Sequence, residues 1–216
     1  MSSVTILTSG STQRPKKITH PWKYIDRCID RSIEEIQLTH NDIVLDVFPG
    51  NTIAHYVVTA MPAMKVGAEL HTATFEPFSY ITLFKEIQPS FISLIPRHYD
   101  ILSKTKGWGS LDMSCVRYMV TGSGVVNQEM IDAFRQRGIQ TVANWYGMTE
   151  MPPPVLVGYN SETFSLTSRP GYTVDFDNNG ECIINGMATG DLFDVVNKKF
   201  IGRKTESNGK SWKTNI

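Results

Sequence analysis

Apolar positions over the first 147 residues follow two alternating patterns. Short continuous runs bounded by turn residues read as buried strands: Val4–Leu7, Ile43–Phe48, Ala68–His71, Ser90–Ile95, Val116–Val120 and Gln140–Ala143. Between them, apolar residues recur three and four apart. Trp22, Ile25, Ile29, Ile33 and Ile36 form one such stripe, entered through Thr19 and Pro21, which suit a helix cap and first turn. A helix is expected through Met61 and Met64 with a kink at Pro62. Others are expected from Pro77 through Ile87, from Pro96 to about Ser103, and over 128–137, where Gly138 stops it. Strands alternating with helices imply an α/β fold with a mostly parallel sheet flanked by helices. Ligands of such sheets sit beyond the carboxyl ends of the strands.

The pattern changes after Glu150. Pro152-Pro153-Pro154 is a stiff break, and the chain beyond it is turn-rich, with short β-like runs. Asn179-Gly180, between Val174–Phe176 and Cys182–Ile184, signals a hairpin, and Asn197-Lys198-Lys199 a second turn. The expected organisation is an α/β core over residues 1–150 and a small β-rich subdomain over 151–216.

Composition narrows the function classes. The chain has 216 residues, 41% hydrophobic and 19% charged, enough apolar material for a packed core. Its 21 basic and 21 acidic residues cancel, so no basic field is available and no nucleic-acid partner is expected. Cys28, Cys115 and Cys182 form no C-x-x-C pair and read as reduced thiols of a cytoplasmic protein. Met1-Ser2-Ser3 leads straight into the first strand without a signal-peptide pattern. No apolar run reaches the length of a membrane span; Pro62 and Lys65 interrupt the nearest.

Three predicted strand ends carry chemistry. In the first, Thr8, Ser9, Ser11 and Thr12 supply hydroxyls, Gly10 allows the backbone to come close, and Lys16 adds a charge after Pro15. Hydroxyls and free N–H groups in such a turn suit phosphate oxygens, and the lysine suits the outer phosphates. The loop is expected between a strand and a helix. It is not a Walker A loop, because no second glycine precedes Lys16. The second end is Thr121-Gly122-Ser123-Gly124, and the third is Asn144-Trp145-Tyr146-Gly147-Met148-Thr149-Glu150. All three are expected on one edge of the sheet.

Together with Thr189-Gly190-Asp191, and in this order, these stretches resemble the AMP-forming adenylating ligases: acyl-CoA synthetases, luciferases and the adenylation domains of peptide synthetases. The resemblance implies a ligase that binds Mg-ATP and adenylates a carboxylic acid with release of pyrophosphate. It assigns Thr8, Ser9, Gly10, Ser11, Thr12 and Lys16 to the outer phosphates, Thr149 to the α-phosphate and Glu150 to Mg²⁺. Lys16, Thr149 and Glu150 are then the catalytic set. Tyr146 would stack on adenine within Asn144, Trp145, Gly147 and Met148, flanked by Gly122, Ser123 and Gly124. Asp191 would bind the ribose hydroxyls, with Arg203 in support, and His55 would line the acid pocket. Without the resemblance, Tyr146 suits a core aromatic, Glu150 a helix-start carboxylate, Asp191 a turn residue and His55 an ordinary helix histidine.

The sequence also departs from the family. Gln13 and Lys17 stand where the phosphate loop usually has glycines. The resemblance covers the central part of a full-length member, without the large amino-terminal portion or the carboxyl-terminal subdomain with its catalytic lysine. Lys204, Lys210 or Lys213 is the candidate replacement for that lysine. The expected partners are a small carboxylic acid and the thiol of coenzyme A or a carrier protein, with no membrane. Apolar surface left by the missing parts implies a homodimer. The alternative function is an ATP/AMP- or acyl-adenylate-binding module without full turnover.

Overall fold

The computed structural model describes residues 2–8 and 16–204. β1 (Ser3–Leu7) pairs antiparallel with β2 (Lys17–Pro21), Thr5 opposite Thr19. The Ser/Thr/Gly loop therefore spans a hairpin, not the expected strand-to-helix junction. Lys17-Ile18-Thr19-His20 alternates between exposed and more buried positions, as a strand with one covered face does. α1 (Trp22–Ile36) then buries Ile25, Cys28, Ile29, Ser32 and Ile36 along one stripe and ends at Gln37, φ 54°. Thr19 lies in β2, and Pro21 is the cap.

After β3 (Ile43–Asp46), two short helices replace the single kinked one, α2 (Ile53–Val57) and α3 (Ala60–Val66). The break falls at Thr59, whose hydroxyl donates to Asp46 Oδ1 at 2.8 Å. Pro62 sits in the first turn of α3, where a missing N–H is no loss. The chain continues through β4 (Glu69–Thr72), α4 (Pro77–Ile87), β5 (Phe91–Ser93), α5 (Pro96–Leu102), β6 (Tyr118–Gly122), α6 (Gln128–Arg135) and β7 (Thr141–Tyr146). β8 (Leu156–Tyr159) lies past the Pro152–Pro154 break yet adds antiparallel to β7. The six strands form one sheet in the order β4-β3-β5-β6-β7-β8, parallel but for β8.

Neighbouring residues of each parallel strand are both buried, one on each face. Leu45, Ile92, Met119 and Val142 pack with Tyr80, Phe84, Leu102, Ile131 and Phe134 of α4, α5 and α6. Val44, Phe91, Val120 and Ala143 pack with Ile6 of the hairpin, Ile25 and Ile29 of α1, and Val57 and Ala63 of the short helices. Burial on both faces is why these strands read as continuous apolar runs.

β9 (Val174–Phe176), β10 (Glu181–Ile184), β11 (Met187–Asp194) and β12 (Lys199–Arg203) make a separate antiparallel sheet, joined at both expected turns. Its Cys182, Ile184 and Phe193 share a cluster with Tyr146 and Leu156 of the large sheet. Among the described residues, no helix is long and apolar enough to cross a membrane.

The amino-terminal edge of the large sheet is held by an ion pair whose carboxylate is buried and whose guanidinium is partly exposed. Arg117 donates to both Asp42 oxygens at 2.7 Å and to the Ile36 and Gln37 carbonyls at the end of α1. Ser90 Oγ and the Thr39 amide also donate to Asp42. Burial alone would raise the Asp42 carboxyl, but these hydrogen bonds outweigh it and lower the group to about 2. A carboxyl depressed on folding stabilises above its unfolded value, about 4, and that contribution is lost as pH falls toward about 2. Arg117→Met is expected to cost roughly 3 kcal/mol at neutral pH, because it strands a buried carboxylate. Urea titrations across the acid range should show wild type losing stability more steeply than Asp42→Asn over that window. Parallel curves would contradict the assignment.

Candidate functional site

At the carboxyl edge of the large sheet, β6 and β7 end side by side, with Thr121 opposite Asn144 and Gly122 opposite Trp145. A Cβ at Gly122 would stand 2.3 Å from the Trp145 carbonyl oxygen, so only glycine fits there. Ser123 follows in the left-handed conformation, φ 60°.

Residues 144–146 lie within β7 itself and alternate across it. Asn144 Nδ2 donates to the Glu162 carbonyl at 3.3 Å. Trp145 sits in the core beneath α1 and the hairpin. Tyr146, expected to offer its ring to a base, is only 6% exposed and is enclosed by Phe164, Phe193 and Phe200. Beyond it, Gly147 to Glu150 form a half-buried turn. A Cβ at Gly147 would meet Pro153 Cα at 2.7 Å, and Met148 and Met151 exchange backbone hydrogen bonds at 2.9 and 3.1 Å.

The Tyr146 hydroxyl donates to Asp191 Oδ2 at 2.9 Å, joining two motifs 45 residues apart. Arg203 Nε donates to Asp191 Oδ1 at 2.8 Å, and its Nη2 reaches the Thr189 carbonyl at 3.4 Å. Thr189 Oγ1 accepts from the Asp191 amide and donates to the Cys182 carbonyl at 2.8 Å. Burial raises the Asp191 carboxyl above the ordinary aspartate value, although Arg203 and Tyr146 pull it down; Glu150 lies near enough to push the same way as burial. Burial, with the Asp191 charge, likewise pushes the Tyr146 hydroxyl up, so it stays protonated and donates.

The hairpin reaches the same place. His20 Nε2 donates to the Thr149 carbonyl at 2.7 Å, fixing β2 against the 147–150 turn. The loop that β1 and β2 carry is closed at its neck: the Thr8 amide donates to the Lys16 carbonyl at 2.9 Å and the Lys16 amide to Thr8 Oγ1 at 3.1 Å. Ser9, Gly10, Ser11 and Thr12 lie outside the described residues, as do Lys210 and Lys213; Lys204 is described, 3.8 Å from a Glu181 oxygen.

His55 stands apart, on α2 beyond β3. Its Nδ1 lies 2.6 Å from Asp46 Oδ2, and Asp46 also accepts from Thr59 Oγ1 and the Phe48 amide. The carboxylate is fully buried and the imidazole 22% exposed.

Among the described residues no three His, Cys, Asp or Glu side chains gather as a closed metal site. Mg²⁺ needs none: it takes one or two carboxylates and completes its shell with water and substrate phosphates. Glu150, half-buried and near enough to Asp191 to raise its carboxyl, fits that demand.

The structure thus gathers the 144–150 strand end, Thr189–Asp191, Arg203 and the neck of the 8–16 loop, and leaves His55 beyond β3, with two strands between β3 and β7. His20 escapes sequence analysis, because a lone histidine before a proline carries no spacing signal. Asp46 leaves a trace: a charge inside the apolar run Ile43–Phe48.

Comparison with known proteins identifies the family and the fold. The family model for AMP-binding enzymes matches residues 3–180, so the chain belongs to that family, the AMP-forming ligases. A feruloyl-CoA synthase from an Amycolatopsis species is 28% identical over 178 residues, covering 78% of this chain and 35% of that protein. The 4-coumarate–CoA ligase 3 of Arabidopsis thaliana is 26% identical over 152 residues, covering 68% of this chain and 27% of its own. The chain therefore spans about a third of the length of these relatives. The O-succinylbenzoate coenzyme A synthetase of Bacillus subtilis, solved with ATP and magnesium, has the same fold: TM-score 0.75 at 16% identity, over 95% of this chain and 51% of that one.

Tyr146→Phe is expected to lower stability by about 1–2 kcal/mol, since it deprives a buried carboxylate of a donor. Arg203→Ala should cost less than about 1 kcal/mol, because the arginine is half exposed and solvent-screened. Urea midpoints measure both, and the reverse order would place the main support of Asp191 on the arginine.

Proposed function

We propose that this chain is the ATP-binding core of an AMP-forming ligase that activates a carboxylic acid, joining it to the α-phosphate of ATP with release of pyrophosphate. The observation that carries this reading is the Tyr146–Asp191 hydrogen bond, which brings two family motifs into contact at the edge where α/β sheets bind ligands. Asp191 keeps a lone pair free on each oxygen and so can still accept from two ribose hydroxyls. Tyr146, enclosed by phenylalanines, acts through its hydroxyl as the support of Asp191. Adenine then lies along Gly122–Gly124 and the 147–148 turn, and Thr149 meets the α-phosphate. Thr8 to Thr12 and Lys16 hold the outer phosphates on a loop whose neck is already closed. Glu150 holds Mg²⁺, which neutralises phosphate charge as two anions are brought together. Two relatives carry aromatic acids in their names, which brings an aromatic acid into the reading, with a coenzyme A or carrier thiol as the later acceptor.

The test separates the phosphates. Lys16→Ala should weaken ATP binding about tenfold, the scale of one charge-assisted bond, and leave AMP binding unchanged. Asp191→Ala should weaken both. Calorimetry with the two nucleotides, alongside acid-dependent pyrophosphate exchange, decides the matter. Equal loss of AMP binding in Lys16→Ala removes the phosphate-loop assignment. Nucleotide binding without exchange leaves a binding module rather than a ligase.

A further inference from the structure

Next to the nucleotide edge, three loops from adjacent parallel strands bring aromatic rings together. Phe48 follows β3, Phe75 follows β4 and His98 follows β5. The His98 imidazole lies flat on Phe75, centroids 4.0 Å apart and planes 12° from parallel. Phe48 flanks it more loosely, at 6.0 Å and 33°. Tyr80 stands behind Phe75 at 5.7 Å and backs it against the core. All three loop rings are only partly buried. In sheet order these loops come immediately before β6. They also come close to the segment that follows β6: a Cβ at Gly124 would rest 3.6 Å from Pro96, which opens the helix carrying His98.

Two polar atoms in this cluster stand unpaired, the hydroxyl of Tyr80, which is sealed in the core, and an atom of His98, whose ring is only partly buried. His98 Nδ1 is buried and has no hydrogen-bond partner among the described residues. A buried polar atom left unpaired costs about 1–3 kcal/mol, and such atoms are uncommon enough to need a reason. Burial, reinforced by the charge of Arg97, lowers this histidine to about 4, so the ring is neutral near pH 7. A neutral imidazole offers no charge to a carboxylate. It offers one uncharged hydrogen-bonding atom within a stack of rings, suited to a ligand that is aromatic and carries a hydroxyl.

We infer that Phe48, Phe75 and His98 form the surface that receives the aromatic ring of the acid, with His98 Nδ1 pairing a hydroxyl on that ring. The inference rests on the ligase reading and adds a specificity residue to it. The acid lies along the sheet edge, its carboxylate toward Thr149 and its ring toward β3 and β4. No charged group is needed at the ring end, and among the residues of the stack none is present.

The probes are 4-hydroxycinnamate, cinnamate and hexanoate, titrated into the full chain by calorimetry. Wild type should bind 4-hydroxycinnamate about tenfold more tightly than cinnamate, the scale of one neutral hydrogen bond at a buried site, and hexanoate more weakly than either. His98→Phe preserves the stack and should bind cinnamate within about twofold of wild type while losing the preference for the hydroxyl. His98→Gln, which restores a polar atom, should regain part of that preference. A merely structural histidine would change all three affinities together. The inference is overturned if neither aromatic acid binds, if wild type does not discriminate between them, if hexanoate binds as well, or if the preference survives in His98→Phe. Pyrophosphate exchange run in parallel reports on the ligase reading separately: exchange with undiscriminated acids keeps the ligase and removes this pocket, and discriminating binding without exchange does the opposite.

Discussion

The contact between the Tyr146 hydroxyl and Asp191 is the point at which the two halves of the molecule depend on each other. Tyr146 ends a strand of the parallel sheet, and Asp191 lies in the small antiparallel one. Neither partner tolerates separation. Asp191 is 6% exposed, and a carboxylate at that depth must be paired or lose its charge. A buried phenol likewise needs an acceptor. The aromatic packing of Phe164, Phe193 and Phe200 around Tyr146 excludes water from the contact and makes the dependence stronger. The small sheet is therefore positioned by a polar contact inside an apolar cluster, and the same contact sets Asp191 at the sheet's carboxyl edge.

This placement divides labour between the two edges of the large sheet. At the amino-terminal edge the polar groups are satisfied internally: Asp42 takes hydrogen bonds from Arg117, Ser90 and Thr39, and Arg117 also satisfies the last carbonyls of α1. At the carboxyl edge Asp191 and Asp46 are paired as well, but other groups stay available. Glu150 is half-buried, Lys16 is exposed at a closed loop neck, and His98 keeps an unpaired nitrogen.

Elements are legible in the sequence where their signal is local. The parallel strands and α1 are visible because two-faced burial makes continuous apolar runs and one-faced burial makes a 3.6-residue stripe. The two turns of the small sheet are visible because Asn-Gly and similar pairs carry their own backbone preference. The hairpin is not, because Lys17 to His20 is short and lies between a proline and a helix start. The split of α2 from α3 depends on Thr59 bonding Asp46, a contact across 13 residues that no window displays. The motif residues are legible by type and order, but their postures are not. Trp145 faces the core and Tyr146 is enclosed, because alternation along β7 assigns them to opposite faces, and both faces of this sheet are covered.

The enclosure of Tyr146 bears on how the site works. A tyrosine free at the surface would present a flat ring whose position depends on its ligand. One enclosed by three phenylalanines and fixed through its hydroxyl has a position set before any ligand arrives. The same holds for Thr149, whose carbonyl is held by His20 from the hairpin, so that the strand end and the loop neck share one frame. The proposed reaction, which joins two anions, would gain most from groups that need no rearrangement as charge develops. Preorganisation here comes from second partners, His20 behind Thr149 and Tyr146 behind Asp191, and those partners come from elements that family motifs do not name together. The motifs mark which atoms the proposed nucleotide would meet; the packing behind them decides whether those atoms are already in place.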